Sequence, residues 1–349
     1  MLSRWAGGGS PYDDSIADHE PALAPGKLPN RLLARLLSGI PAPGPDVLLG
    51  PAVGEDACVI DVPAGALVAA TDPITLTTRD VGRSAVIINA NDVAVSGVRP
   101  RWFLAVVLLP PGATAGEAQG IFSTLRDGLE EVGASLVGGH TEVTEAVTQP
   151  VVVGQMMGTG EGFLSTSGAG PGDVLVQVGP TPVEGAAVLA AEAAALLQGL
   201  PSGMLEAASR GLEDPGISVV EPALEAARLG ATAMHDPTEG GLASGLHEMA
   251  VAASVAVTVD MEAVLWFPPG VAVCQELGAD PWGTLGSGTL LAAFPPDRWE
   301  QAVHELRSGG YRAARIGTVE EGAGVRDRAG GFVPWPTRDE VARVLSGPT

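Results

Sequence analysis

The stretch GTGEGFLSTSGAGPG, residues 158–172, decides how the chain is divided. It is dense in Gly, Ser and Pro, which favour loops and turns over helices and strands. On both sides of it, short apolar segments typical of strands alternate with longer segments of helical periodicity. This pattern predicts two α/β halves of similar size. We place the domains at residues 26–160 and 161–349, after a tail at 1–25 that is rich in Gly, Pro and Asp and is expected to be flexible.

The best-defined element is a helix at 117–132, where apolar residues recur at the spacing of one helical face. In the first half we also predict helices at 28–37 and 83–96 and strands at 57–62, 66–70, 102–109, 135–137 and 151–157. In the second half we predict helices at 183–197, 220–229, 242–253 and 298–308, and strands at 174–178, 255–259, 289–294 and 314–319.

Charge and hydropathy exclude several classes of partner. The 349 residues include 41 acidic and 19 basic side chains, a net charge of −22. Such a surface repels nucleic acid and anionic lipid, because binding either requires Lys and Arg to neutralise phosphate. The longest apolar segment, 183–197, is interrupted by Glu184 and Glu192 and is too short for a bilayer core of about 30 Å. We therefore expect a cytoplasmic protein with no membrane or nucleic-acid partner.

The positions of cysteine and lysine argue against three further features: a disulfide framework, a structural zinc site and a P-loop. The only cysteines are Cys58 and Cys274, with no CxxC pair, so a disulfide framework or a structural zinc site is not expected. Cys274 lies in an apolar stretch and is expected to be a small core residue. The single lysine, Lys27, follows Gly26 but precedes Leu28, which excludes the P-loop of many NTPases.

Four segments in the first half place an acidic residue beside small residues at the junction of a strand with a turn or helix. They are Gly54-Glu55-Asp56-Ala57, Thr71-Asp72-Pro73, Asn89-Ala90-Asn91-Asp92 and Gly138-Gly139-His140-Thr141-Glu142. Carboxylates at strand ends suit Mg²⁺, which binds one or two of them together with waters and substrate phosphates. A single Asp at such a position more often caps a helix or ends a strand. Asp92 is harder to explain in that way, because its predicted helix is otherwise apolar and a buried carboxylate needs a partner.

A fifth segment, Asp236-Pro237-Thr238-Glu239-Gly240-Gly241-Leu242, leads into a predicted helix. One interpretation is an ordinary helix cap supplied by Thr238 or Asp236. The other is a turn whose free N–H groups and helix dipole bind an anion. The glycine pair favours the second, since capping does not need it. Residues 286–289 (GSGT) show a similar but weaker pattern.

These five segments, in this order, resemble those of the aminoimidazole-ribonucleotide (AIR) synthase superfamily, which includes selenophosphate synthetase, thiamine-monophosphate kinase and the hydrogenase-maturation protein HypE. The resemblance spans about residues 27–344. The 236–242 segment is most similar to the HypE branch, as is Leu277-Gly278-Ala279-Asp280-Pro281.

The resemblance implies a two-domain, PurM-like α/β (α+β) fold, whose N-terminal β-sheet domain pairs with its twin in a homodimer. It also implies that ATP and Mg²⁺ bind near the pairing surface under the C-terminal domain. The expected nucleotide contacts are Lys27, Gly54, Glu55, Asp56, Ala57, Asp72, Asn91, Gly138, Gly139, His140 and Thr141. The expected metal ligands are Asp56, Asp72, Asp92, Glu142 and Asp236, and the expected catalytic residues are Asp92, Asp236 and Glu239. Lys27 could equally be an ordinary surface lysine.

Two departures from the family pattern limit the functional prediction. HypE proteins end in a cysteine that carries the carbamoyl group, whereas this sequence ends Leu345-Ser346-Gly347-Pro348-Thr349, so the HypE reaction itself is not expected. The family also has an Asp after the Gly-Gly pair, where this chain has His140. Either Glu142 substitutes for it, or one metal site is altered.

Three functions follow as hypotheses. The first is an ATP-dependent enzyme that phosphorylates a carbonyl, amide or phosphate oxygen of an acceptor. The second is a small-molecule kinase similar to thiamine-monophosphate kinase. The third is a nucleotide-binding protein without catalysis. The retained acidic residues argue against the third, because a structural protein gains little from buried carboxylates. The acceptor cannot be named from the sequence, since a fold does not determine a substrate.

Overall fold

A computed structural model describes residues 23, 26–27, 30–49, 59–62, 65–76 and 79–346. Two β-sheets with helices packed against them form the two halves of the chain, which confirms the predicted α/β class. Most of the predicted flexible tail, and the whole 54–57 segment, lie outside the described residues. In the described part of the chain, no helix is long and apolar enough to cross a membrane.

The first half consists of a five-stranded sheet with helices on one face and a separate pair of short strands. Its strands are β1 (Gly26–Lys27), β2 (Val47–Leu49), β3 (Val59–Ile60), β4 (Ala66–Ile74), β5 (Trp102–Leu109), β6 (Ser135–Val143) and β7 (Val151–Gly160). Its helices are α1 (Asn30–Ser38), α2 (Val81–Ala94) and α3 (Ala115–Val132). The sheet order is β1-β6-β5-β7-β4, and β2 and β3 pair separately. Burial alternates along β5 and β7, because α2 and α3 cover one face and leave the other partly exposed.

Helices α2 and α3 pack closely because small residues line their contact. A Cβ atom on Gly82 would lie only 2.4 Å from the carbonyl oxygen of Ile121, so any other residue would force the helices apart. The predicted apolar face of α3 is buried. The helix begins two residues before the predicted start, because Thr114 and Glu117 form a reciprocal capping box.

The second half is a six-stranded sheet with apolar clusters on both faces. Its strands are β8 (Val174–Val178), β9 (Ala233–His235), β10 (Ala256–Val259), β11 (Leu290–Phe294), β12 (Ala313–Glu320) and β13 (Gly324–Asp327), in the order β13-β10-β12-β8-β11-β9. Its helices are α4 (Glu184–Glu192), α5 (Ser202–Ser209), α6 (Val220–Arg228), α7 (Gly241–Ala253), α8 (Pro268–Leu277), α9 (Trp299–Ser308) and α10 (Glu340–Leu345). Every residue of β8 and β11 is buried, as expected for strands covered on both faces.

The helix predictions for this half were partly wrong. The predicted helix at 183–197 is interrupted, since α4 ends at Glu192 and only a short 3₁₀ turn follows at 194–196. Helices α5, α8 and α10 were not predicted. Helix α8 begins with Pro268 and Pro269. Two prolines suggest the end of a helix when only the sequence is considered, but they are tolerated in the first turn, where the N–H groups have no intrahelical partner.

The two halves are joined along α2. The Asn91 side chain, which is fully buried, donates from Nδ2 to the Ile217 carbonyl at 2.9 Å and accepts at Oδ1 from Val219 N–H at 2.8 Å. Arg83 also donates to the Leu212 carbonyl at 2.9 Å. The Arg99–Glu221 ion pair crosses the same interface but is exposed, and such pairs contribute little to stability. The buried amide is therefore the stronger link.

Candidate functional site

Asp72 lies on β4, on the face of the sheet that α2 covers. Its backbone is fixed by the buried Asn89 of α2, which accepts from Asp72 N–H at 2.7 Å and donates to the Asp72 carbonyl at 3.2 Å. A third bond, from Asn89 Nδ2 to the Ala85 carbonyl at 2.8 Å, holds the amide in this orientation. The sequence analysis did not predict a role for Asn89. A polar amide one turn before Asp92 in an otherwise apolar helix could have indicated one, because a buried amide needs hydrogen-bond partners.

Asp92 extends from α2 toward Asp72. The pKa of the Asp92 carboxyl is raised to about 8, first by burial and then by the nearby Asp72 carboxylate, which repels the charged form and accepts a hydrogen bond from the protonated form. The ionised pair is therefore unfavourable without a compensating positive charge.

Asp236 brings a third carboxylate from the second half of the chain. It follows β9, is only 4% exposed, and its Oδ2 atom has no hydrogen-bond partner among the described residues. Burial is the main cause of a pKa well above the usual range, and the charges of Asp92, Asp72 and Glu248 add to it. Glu248 itself contacts His235 Nε2 at 2.8 Å. The structure thus brings together three of the predicted metal ligands.

These residues fit a magnesium ion that is shared with phosphate groups. Among the described residues, no group of three or more His, Cys, Asp or Glu side chains is arranged so that it could hold a metal ion by itself. Mg²⁺ does not need such a group, since it commonly uses one or two carboxylates and completes its shell with water and phosphate oxygens. The unpartnered Asp236 Oδ2 and the raised Asp92 pKa show that these carboxylates lack a positively charged neighbour among the groups that shift their pKa, and a cation is chemically suited to them.

The predicted nucleotide residues of β6 lie elsewhere on the sheet. His140 and Glu142 share the outer face and contact each other at 3.4 Å, whereas Thr141 is buried on the α2 side. Lys27 pairs with Glu142 across the β1–β6 ladder. Strands β5 and β7 separate this group from Asp72. The nucleotide role of these residues, together with that of Gly138, therefore stays a prediction, as does that of Glu55 and Asp56 in the segment outside the described residues.

Gly139 is required by the backbone. Its φ of +150° is rare for other residues, and a Cβ atom there would lie 2.0 Å from the Ala105 carbonyl oxygen. The close approach is therefore between two strands of the sheet. Asn91 likewise has a structural contact, since both ends of its amide bind backbone groups of the second half.

The structure contradicts the first interpretation of the 236–242 segment, whereas anion binding at this turn stays a prediction in which the Gly240 and Gly241 N–H groups take no part. Gly240 N–H is not free for an anion, because it donates to Asp339 Oδ2 at 2.7 Å, and Gly241 N–H donates to the Thr238 carbonyl at 3.0 Å. The cap of α7 therefore comes from a residue 99 positions away rather than from Thr238 or Asp236. The glycines are needed for positive φ angles of 76° and 61°. Glu239 is exposed, and its catalytic role stays a prediction.

A second group of buried polar atoms, which sequence reasoning missed, lies beside this loop. Glu184 Oε2 and Ser287 Oγ are both buried and form no hydrogen bond of normal geometry with the described residues. Burial raises the pKa of Glu184 to about 7; the nearby Ser287 hydroxyl opposes this, while Asp339 and Glu239 add to it. Ser287 belongs to a turn in which Gly286 N–H donates to the Thr238 carbonyl at 3.0 Å.

Cys274 is confirmed as a core residue. It is fully buried, its Sγ lies 3.4 Å from Thr284 Oγ1, and burial raises its thiol pKa to about 11. A thiol in this environment is protonated at neutral pH and is not a nucleophile.

Comparison with known proteins assigns the chain to a family. Residues 54–159 match the sequence profile of the AIR synthase related protein, N-terminal domain, and residues 170–329 match that of the C-terminal domain. The chain is 30% identical over 274 residues to carbamoyl dehydratase HypE of Rhodobacter capsulatus, which covers 74% of each protein.

Solved structures agree with this assignment. A hydrogenase maturation protein HypE in complex with ATP is 25% identical, with a TM-score of 0.71 over 84% of this chain and 90% of that one. Escherichia coli HypE shares the fold, with a TM-score of 0.75 at 24% identity over 90% of this chain and 98% of that one. The chain belongs to the AIR synthase-related, PurM-like family. Within that family it lies near the HypE branch.

Proposed function

We propose that this protein is an ATP- and Mg²⁺-dependent enzyme that phosphorylates a carbonyl, amide or phosphate oxygen of an acceptor. The observation that carries the proposal is the convergence of Asp72, Asp92 and Asp236 between the two halves of the chain. The buried Asp236 carboxylate and the half-buried Asp72 and Asp92 carboxylates disfavour one another's charged forms, and bound Mg²⁺ with phosphate would remove that penalty. The similarity to a HypE that binds ATP supports the choice of nucleotide.

The chain's own residues would then have distinct tasks. Asp72, Asp92 and Asp236 would hold Mg²⁺, which supplies charge neutralisation for the phosphates during phosphoryl transfer. Asn89 keeps Asp72 in place through its two bonds to the Asp72 backbone. Asn91 joins the two halves, so that Asp236 stays beside Asp92. The burial of Asp236 would strengthen its electrostatic contact with a bound cation.

We also propose a homodimer formed through the outer face of the first sheet. This face carries partly exposed apolar side chains such as Leu104, Val106 and Val153, and Leu67 is 54% exposed. An uncovered apolar face of this kind favours association. Lys27, His140 and Glu142 would contact a nucleotide only at the surface between two copies, so their predicted role depends on the dimer.

Calorimetric titration tests nucleotide binding directly. We expect saturable ATP binding with Mg²⁺ and a severe loss of affinity when the metal is replaced by EDTA. Without the metal, the carboxylates should repel the phosphates of ATP. Equal affinity in both conditions would therefore contradict the proposal.

Product analysis distinguishes the competing functions. Purified protein is incubated with Mg²⁺-ATP and candidate acceptors, and the products are identified by mass spectrometry. Transient activation releases inorganic phosphate with a chemically altered acceptor, whereas a kinase leaves the phosphoryl group on its product. Binding without turnover of any acceptor would favour the non-catalytic alternative.

A further inference from the structure

The chain segment 332–346 forms a clasp around the beginning of α7. Its centre is Asp339, which is 5% exposed and uses both carboxylate oxygens. Oδ1 accepts from Val341 N–H at 2.7 Å and so caps α10, and Oδ2 accepts from Gly240 N–H at 2.7 Å. One carboxylate therefore ties two helix N-termini together.

Further contacts hold the clasp in place independently of Asp339. Arg343 donates to the Gly278 carbonyl at 2.8 Å, and Glu340 N–H donates to the Gly283 carbonyl at 3.1 Å. On α7, His247 donates from Nε2 to the Val333 carbonyl at 2.8 Å and stacks on Trp335 with ring centroids 5.0 Å apart. The position of the Asp339 carboxylate is thus set by a frame that does not involve the Gly240 contact.

The residue that Asp339 binds belongs to the loop of the candidate site. Gly240 directly precedes α7, and as a glycine it has no side chain with which to cap the helix. Asp236, four residues earlier, is the carboxylate that this loop presents to Asp92. The Gly240 contact therefore lies within the same short segment, 236–240, that carries the second-half carboxylate.

We propose that Asp339 is a positioning residue, which holds Gly240 and through it keeps Asp236 in the arrangement that binds metal. Asp339 touches neither metal nor nucleotide in this assignment. A carboxylate suits the task because a charged acceptor binds an N–H group more strongly than a neutral one, and because negative charge is stabilised at a helix N-terminus. The metal-dependent part of this inference rests on the proposed function.

The Asp339→Ser variant separates the two contacts. Serine is a good N-cap and keeps the bond to Val341 N–H, but its side chain is too short to reach Gly240 as well. We expect hydrogen exchange in residues 236–246 to accelerate, and the Mg²⁺ concentration that half-saturates ATP binding to rise about tenfold, the size of effect that follows from losing one charged hydrogen bond. Asp339→Asn keeps one acceptor oxygen and replaces the other with an NH₂ donor, so it can satisfy only one of the two N–H groups and should show a loss as well.

Arg343→Ala is the matched control, because it removes one exposed contact between the clasp and residue 278, while the Glu340 and His247 contacts still hold Asp339 in place. It should lower the melting temperature without changing the half-saturating Mg²⁺ concentration. An unchanged Mg²⁺ requirement in Asp339→Ser, or an equal rise in Arg343→Ala, would overturn the positioning role. If the wild-type protein fails to bind Mg²⁺-ATP, the proposed function fails, and hydrogen exchange still decides the role: unchanged exchange in Asp339→Ser overturns it.

Discussion

Asn91 Nδ2 donates to the Ile217 carbonyl at 2.9 Å, and this contact joins the two halves of the chain beside the carboxylate cluster. The same side chain accepts from Val219 N–H at 2.8 Å, so it satisfies one acceptor and one donor of a buried turn. Asn91 precedes Asp92 on α2, whose carboxylate must meet Asp236 from the other half. The domain link and the candidate site are therefore neighbours in sequence as well as in space.

Asn91→Ala should destabilise the protein by about 2–4 kcal/mol, since it leaves a buried carbonyl and a buried N–H group without partners. We expect chemical denaturation to show this loss, with weaker Mg²⁺-ATP binding as a second effect. Arg99→Ala is the control, because it removes an exposed link across the same interface and should change stability by less than about 1 kcal/mol. Equal effects of the two variants would show that the buried amide has no special role.

Sequence patterns correctly predicted the helices and strands that depend mainly on residues close together in the chain. The α3 helix followed from apolar residues repeated along one face, and β5 from a continuous apolar run. Asp92 attracted attention because a carboxylate in an apolar helix needs a partner, and the structure places Asp72 next to it. In each case, the signal and its physical reason lie within one stretch of sequence.

Contacts between distant residues were beyond such reasoning. The cap of α7 was missed because Asp339 is 99 residues from Gly240, and a nearby Thr238 offered an apparently sufficient alternative. Glu184 was interpreted only as an interruption of an apolar helix, since its burial depends on packing against the 284–289 turn. A one-sequence pattern cannot show which side of a helix meets a remote loop.

Glu184→Gln should stabilise the protein in a pH-dependent way. Burial raises the folded-state pKa of Glu184 from 4.5 to about 7, so the folded protein holds this proton more tightly than the unfolded chain. The wild type therefore loses stability as pH rises from about 4.5 to about 7, by a few kcal/mol in total, and no further above that. The neutral glutamine removes this loss. The advantage of the variant should be small near pH 4.5 and largest at pH 8.

Thermal unfolding at several pH values measures this difference. Glu192→Gln is the matched control, because Glu192 is an exposed acidic residue at the opposite end of the same helix. Its replacement removes one exposed charge and should change stability by less than about 1 kcal/mol. A constant difference between Glu184→Gln and the wild type from pH 5 to pH 8 would show that Glu184 titrates normally in the folded protein.

Val106→Glu should convert the proposed dimer to a monomer. Val106 lies on the outer face of β5, between Val153 and His140 in the sheet register, so a charge there would be buried by a second copy. Light scattering should give twice the chain mass of 35.2 kDa for the wild type and the single mass for the variant. Phe163→Glu, at a 66% exposed position away from this face, should remain dimeric. A wild-type monomer at micromolar concentration would exclude the dimer.

Asp92→Asn should reduce ATP turnover by at least about 100-fold, because charge stabilisation by a metal carboxylate is worth several kcal/mol in a site from which water is excluded. The substitution keeps the shape of the side chain and removes the repulsion with Asp72 and Asp236. The metal-free variant should therefore melt at the same temperature as the wild type or up to about 4 °C higher. Added Mg²⁺ with ATP should stabilise the wild type and have little effect on the variant.

Two measurements on the same samples separate a metal ligand from a structural residue. Turnover and thermal unfolding are followed with and without Mg²⁺, with Asp127→Asn as the control, since Asp127 is an exposed acidic residue on α3. A structural carboxylate would change the melting temperature and leave turnover within a few-fold of wild type. A metal ligand gives the opposite pattern, because its charge is unfavourable in the empty site and is required only when the cation is bound. Asp92→Asn turnover close to that of Asp127→Asn would therefore remove Asp92 from the site.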